Sequence, residues 1–162
     1  MQMKKDMTSQ QAFQKLAALC AKGEHCQHDM TEKMRQWGLG DEEQAEVMAR
    51  LVNGHYVEDA RYARAYVADK VRFGKWGRRK VEQGLWLKHI DQTIIDEALN
   101  EVDDSEYIEV LKPLLKQKRR TTKADSSFQL NGKLVKFAMG RGFTMDIIKQ
   151  CIDVDDEDEF LA

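Results

Sequence analysis

Three short stretches of this chain repeat one another, and that periodicity limits the possible folds more than any other feature. Trp37-Gly38-Leu39-Gly40-Asp41, Lys88-His89-Ile90-Asp91-Gln92 and Arg141-Gly142-Phe143-Thr144-Met145 share one order: a small or polar residue, a large apolar one, then a helix N-cap type. Leu39, Ile90 and Phe143 follow one another at offsets of 51 and 53 residues. In the same register Val47 and Met48 correspond to Ala98 and Leu99, and to Cys151 and Ile152, while Met30 upstream corresponds to Val81 and Leu134. A unit of about 50 residues suits three short helices. The expected architecture is therefore all-α, with three tandem three-helix repeats over 9–54, 57–103 and 104–153, followed by an acidic tail over 154–162.

Local chemistry supports the helical reading. Gly38 and Gly142 can take positive φ and end a helix, and His89 enters the left-handed region more readily than a β-branched residue does. Asp91, Thr144 and either Gly40 or Asp41 can cap the helices that follow, and Thr8 with Gln11 forms a capping-box pattern. The spacing predicts helices over 9–22, 29–37, 41–53, 58–73, 77–88, 91–101, 105–119, 130–140 and 144–153, with 120–131 the least regular interior segment. Gly54 and Gly74 fall between helices; Gly84 falls inside one and weakens it by about 1 kcal/mol relative to Ala. A single proline in the chain fits a mostly helical fold.

Charge narrows the class of partner. The 162 residues carry 26 Lys plus Arg against 28 Asp plus Glu, a formal net charge of −2, but the charges are segregated. Residues 61–89 hold 9 basic and 2 acidic side chains, residues 112–141 hold 9 and 1, and residues 151–162 hold 0 and 6. Such blocks bear on partners rather than fold, although solvated helix faces also produce them. No apolar run is long enough to cross a bilayer and no apolar segment follows the N-terminus, so a soluble protein without a signal peptide is expected. Three cysteines without such a signal point to a reducing, cytoplasmic setting.

The middle repeat holds the most informative chemistry. Arg61, Arg64 and Arg72 fall within an arc of roughly 80° at helical spacing, with Ala63, Val67 and Val71 offering a core stripe. Lys70-Val-Arg-Phe-Gly-Lys-Trp-Gly-Arg-Arg-Lys80 then places six cations and two aromatics in eleven residues. Arg forks and Lys ammonium groups suit phosphate or carboxylate partners, and aromatics can stack on bases or anchor a protein interface. The same pattern arises when Trp and Phe pack inside while the cations stay solvated. A second basic block, Lys116-Gln-Lys-Arg-Arg-Thr-Thr-Lys123, contains Lys118, Arg119 and Arg120 near a helix C-terminus, where cations also complement the helix dipole.

Cys20, His25, Cys26 and His28 crowd one turn without a second pair elsewhere, so the spacing favours core and surface roles over a zinc site. There is no Gly-x-Ser-x-Gly elbow, phosphate-cradling glycine loop or His-Glu-x-x-His, and no catalytic residue, metal or cofactor is expected.

Val57-Glu-Asp-Ala-Arg-Tyr-Ala-Arg-Ala-Tyr-Val67, Phe73-Gly-Lys-Trp-Gly-Arg-Arg79 and Lys88-His-Ile90 resemble the central signature of the RecX family of RecA recombinase regulators. Arg141-Gly-Phe-Thr-Met-Asp-Ile-Ile148 is similar to that family's C-terminal repeat ending, and the resemblance covers about residues 12–153. His89 stands where the family usually has Gly, and Lys22-Gly-Glu-His-Cys-Gln-His28 lacks the arginines usual in the first unit. The resemblance implies an elongated, curved array of three-helix units. Such a protein binds the RecA filament and the single- or double-stranded DNA within it. It inhibits the filament's ATPase, strand-exchange and coprotease activities, and so regulates DNA repair and the SOS response. It implies a monomer without catalytic site, cofactor or membrane contact. Arg61, Arg64, Arg72, Lys75, Arg78 and Arg79, together with Lys118, Arg119 and Arg120, are the candidate RecA- or DNA-binding residues by charge and placement. The residues leave one alternative open: a sequence-independent nucleic-acid binder acting without RecA, driven by the same cations through counterion release.

Overall fold

The computed structural model describes residues 7–152; the acidic tail expected over 154–162 lies outside the described residues. Within them the chain forms nine helices and no strand: α1 (Ser9–Lys22), α2 (Gln27–Gln36), α3 (Asp41–Asn53), α4 (Asp59–Arg72), α5 (Arg78–Leu87), α6 (Gln92–Asn100), α7 (Asp104–Thr121), α8 (Ser127–Gly140) and α9 (Met145–Cys151). The all-α expectation is met, and α1 and α3 keep their expected bounds.

The repeated punctuation has the backbone geometry that its residues suggest. Gly38, His89 and Gly142 take φ of 81°, 59° and 95°, and the apolar residue after each is buried: Leu39, Ile90 and Phe143. Thr8 and Gln11 exchange the two hydrogen bonds of a capping box, and Thr144 accepts from the Ile147 N–H. Gly40 is the N-cap of α3, with the Glu43 carboxylate accepting from its backbone N–H at 3.2 Å.

Two helices start two or more residues earlier than their sequences suggest, for different reasons. The expected start of α2 at residue 29 becomes Gln27 because its cap comes from far along the chain: Asp59 Oδ1 accepts from the Gln27 N–H at 2.9 Å. For α8 the cap is local. Ser126 Oγ accepts from the Gln129 N–H at 3.1 Å while Gln129 Oε1 accepts from the Asp125 N–H at 2.7 Å. The irregular segment expected over 120–131 therefore shrinks to 122–126.

The chain divides into two compact units, and the division runs through α4, α5 and α6. The first comprises the residues up to Ala65 with Leu85–Ile95. In it α1 and α2 pack on α3, burying Ala12, Leu16, Met30, Met34, Leu39, Val47, Leu51 and Val57. The second comprises Tyr66–Gly84 and the residues from Asp96 onward; α7, α8 and α9 pack on one another there, with Leu111, Leu134, Phe143 and Ile148 among the fully buried side chains. Gly84, a costly residue in the interior of α5, leaves room for a neighbour in the second unit. A Cβ at that position would lie 2.0 Å from the Tyr66 hydroxyl.

Candidate nucleic-acid and protein interface

In the second unit the link between α4 and α5 forms a closed turn. The Phe73 and Gly74 N–H groups donate to the Asp69 carbonyl at 2.9 and 3.1 Å, and the Trp76 N–H donates to the Lys70 carbonyl at 3.0 Å. A second strand of chain clasps it from the α8–α9 link. The Gly77 N–H donates to the Arg141 carbonyl (2.8 Å) and the Arg79 N–H to the Gly142 carbonyl (3.0 Å). Arg141 returns the contact, donating from Nη2 to the Gly74 carbonyl at 2.6 Å and from Nε to the Lys75 carbonyl at 3.0 Å. The approach is close enough that a Cβ on Gly77 would sit 2.3 Å from the Phe143 nitrogen. Lys75, at the turn's apex, takes a φ of 58°.

The clasp sorts the basic cluster. Lys70 and Lys80 stand over the half-buried Trp76 ring, 5.2 and 4.7 Å from its centroid, a cation–π arrangement that draws their ammonium groups toward the ring. Arg72 Nη2 lies 3.5 Å from Glu106, and Arg78 donates to Asn100 Oδ1 at 3.0 Å. Lys75 and Arg79 are exposed and have no ion pair among the described residues. Phe73 is 80 % exposed, so the alternative in which both aromatics of this segment pack inside holds for Trp76 in part and fails for Phe73.

The first unit holds Arg61 and Arg64, and they differ. Arg64 is exposed without an ion pair among the described residues. Arg61 is tied into the fold: Nε donates to Glu24 Oε2 at 2.6 Å, Nη1 lies 3.4 Å from Glu58, and Nη2 donates to the carbonyls of His55 and Tyr56 at 3.0 and 3.2 Å. The hydrogen bond to Glu24 is the main reason its pKa rises further above an already high value. Lys118, Arg119 and Arg120 occupy the last turn of α7 in the second unit. Lys118 is 5.0 Å from the Phe137 ring centroid, Arg119 donates to the buried Asn131 at 3.4 Å, and Arg120 is exposed.

The Cys and His residues near α2 have structural surroundings. Cys26 is buried, and burial pushes its thiol up to about 11; burial also raises the thiols of Cys20 and Cys151. Such thiols are poorly ionised near neutral pH and are weak nucleophiles. His28 stacks on His89 with ring centroids 4.1 Å apart. Among the described residues no group of three or more His, Cys, Asp or Glu is placed to hold a metal ion, and no helix is long and apolar enough to cross a membrane.

Sequence reasoning missed Arg141, the side chain that organises the turn. Its signal was present as paired glycine-flanked links, Gly74 and Gly77 in one and Gly140 and Gly142 in the other, but nothing local says that the two links meet.

Residues 59–99 match the RecX second three-helix domain, and residues 104–152 match the RecX third three-helix domain. A regulatory protein RecX from Chlorobaculum tepidum is 31 % identical over 128 residues, covering 79 % of this chain and 78 % of its own length. The chain belongs to the RecX family. A second relative, the regulatory protein RecX of Acinetobacter baylyi, is 28 % identical over 135 residues, covering 83 % of this chain and 82 % of its own. The crystal structure of RecX from Lactobacillus salivarius shares the fold, with a TM-score of 0.82, 19 % identity and coverage of 95 % of this chain and 97 % of that one. The RecX signature quoted from the middle repeat includes the Phe73–Arg79 turn, so the family match falls on the clasped segment as well as on the core.

Proposed function

We propose that this RecX-family protein regulates the RecA filament on DNA, restraining its ATPase, strand-exchange and coprotease activities in the cytoplasm by occupancy rather than by turnover. The observation that carries the reading is the clasped α4–α5 turn, which holds Lys75 and Arg79 exposed on a fixed backbone within the family's own signature segment. Ordered cations can meet phosphates or the acidic side chains of a protein filament at low entropic cost. On the first unit Arg64 is a proposed contact residue, and on the second Arg72, Arg78, Lys118, Arg119 and Arg120 are proposed contact residues of that unit. Arg61 contributes indirectly, by holding the segment before α4 in place. The repeat division over 9–54, 57–103 and 104–153 and a monomeric state belong to the same proposal.

The test is RecA's DNA-dependent ATP hydrolysis at saturating protein. The wild type should lower it, and the Lys75→Glu/Arg79→Glu variant should lose that effect while keeping its helical circular dichroism. Unchanged RecA turnover with the wild type overturns the reading. The exposed Phe73 ring favours one second reading, binding to nucleic acid without RecA. It is distinguished by co-sedimentation with RecA filaments compared with bare single-stranded DNA.

A further inference from the structure

Phe73 is the most exposed large apolar side chain of the described residues, on a backbone whose N–H donates to the Asp69 carbonyl at 2.9 Å. Leaving such a ring in water forgoes about 1.5–3 kcal/mol of burial free energy. The turn around it does not need the ring for its own closure. The Phe73, Gly74, Trp76 and Gly77 N–H groups donate to the Asp69, Lys70 and Arg141 carbonyls, and the Gly74 and Lys75 carbonyls accept from the Arg141 guanidinium. What remains outward is the ring itself, with Lys75 two residues after it exposed and without an ion pair among the described residues, and Arg72 immediately before it exposed with Nη2 3.5 Å from the Glu106 carboxylate.

We propose that Phe73 is a base-stacking residue: the α4–α5 turn binds single-stranded nucleic acid by placing the ring on a base face while Lys75 and Arg72 take the adjoining phosphates. This rests on the DNA-contact part of the function proposed above and assigns the atoms that make it. A protein partner is the weaker fit. Among residues 70–80 Phe73 is the one exposed apolar side chain, and the segment carries six cations and no acid. Cores of protein interfaces are depleted of Lys, whereas grooves for single strands combine aromatic faces with cations. Stacking needs a single π-face and no apolar surround. The rigid turn also lowers the ordering cost on binding.

The experiment is fluorescence anisotropy without RecA, using a short oligothymidylate and an abasic phosphodiester of the same length. Phe73→Ala should weaken oligothymidylate binding by about tenfold and abasic binding by less than about twofold. Phe73→Trp should restore affinity for oligothymidylate, and Phe73→Leu should behave like Phe73→Ala. Full affinity in Phe73→Leu, or equal losses on the two polymers, would overturn stacking. Wild-type protein that binds neither polymer would overturn it as well, while leaving any restraint of RecA turnover standing. Base-dependent binding without an effect on RecA would reject the function proposed above and keep the stacking residue.

Discussion

The entry into α4 and its exit use similar side chains in opposite ways. At the entry, in the first unit, Arg61 faces the protein: two carboxylates and two backbone carbonyls surround its guanidinium. Nearby, Phe13 meets Tyr56 edge to face, with Arg50 over the Phe13 ring at 3.9 Å, so the aromatics there are also occupied. At the exit, in the second unit, a different arginine takes the structural role. Arg141 binds the carbonyls of the turn, and Phe73 and Lys75 are left outward. A cation count therefore overstates a binding surface wherever acids and carbonyls from distant sequence consume the charge. At the exit Lys75 and Arg79 stay exposed beside a backbone that Arg141 closes, and at the entry Arg64 is exposed while Arg61 is consumed.

The largest effect that bears on this contrast is expected where the clasp meets the core. Phe143 follows the clasping Gly142 and is 1 % exposed, so Phe143→Ala should cost about 3–5 kcal/mol in urea unfolding. A cost under about 1 kcal/mol would mean the second unit does not depend on this anchor. Gly77→Ala comes next. Its new Cβ would collide with the Phe143 backbone, so overpacking of about 1–3 kcal/mol and a drop in single-strand affinity are expected together. Gly23→Ala in the first unit is the matched control: its Cβ meets nothing within 4 Å and its φ of 175° is extended, so stability should hold. Equal behaviour of the two variants would remove the close approach as the turn's organising feature.

Arg61 and Lys75 should then dissociate stability from binding. Arg61→Ala strips a partner from Glu24, whose Oε1 is already buried without one, and frees two carbonyls. The expected loss is about 1 kcal/mol, discounted because both side chains are about one-third exposed, with a smaller loss of nucleic-acid affinity than Lys75→Ala gives. Lys75→Ala should do the reverse: a stability change within about 0.5 kcal/mol and a weaker, less salt-dependent complex. If Arg61→Ala weakens binding more than Lys75→Ala, the contrast between the two ends of α4 fails.

How far these features were legible in the sequence depends on how local their causes are. Gly38, His89 and Gly142 mark turns whose φ is dictated within a few residues, and the buried Leu39, Ile90 and Phe143 follow from the same short pattern. The family signature marked the segment that contains the turn. Which of its cations are free was not legible, because Arg61's partner Glu24 lies 37 residues away and Arg141's carbonyls lie 66 and 67 residues away. The start of α2 shows the same limit in the fold. Its cap, Asp59, is 32 residues distant, whereas the start of α8 has a local cause, the Ser126–Gln129 hydrogen bond.

That distant cap yields the smallest expected effect and one with a defined sign. Asp59 accepts from the Gln27 N–H, a hydrogen bond that favours its carboxylate, yet burial outweighs that bond and, with repulsion from Asp29, raises its pKa. A carboxyl whose folded pKa lies above its unfolded value binds its proton more tightly in the native state. Its stabilising contribution is therefore complete below the unfolded aspartate pKa of about 3.9 and is lost as pH rises through the higher folded value. At neutral pH the wild type carries this small penalty. Asp59→Asn keeps an oxygen to accept from Gln27 and removes the charge. The variant should have the higher urea midpoint at pH 7, with the advantage shrinking on acidification until it vanishes once the wild-type carboxyl is protonated in both states. A lower midpoint for the variant at pH 7 would mean that the charge is worth more at the α2 N-terminus than its burial costs. The entry into α4 would then be held by two favourable ionic contacts, Arg61 and Asp59, rather than by Arg61 working against a strained carboxylate.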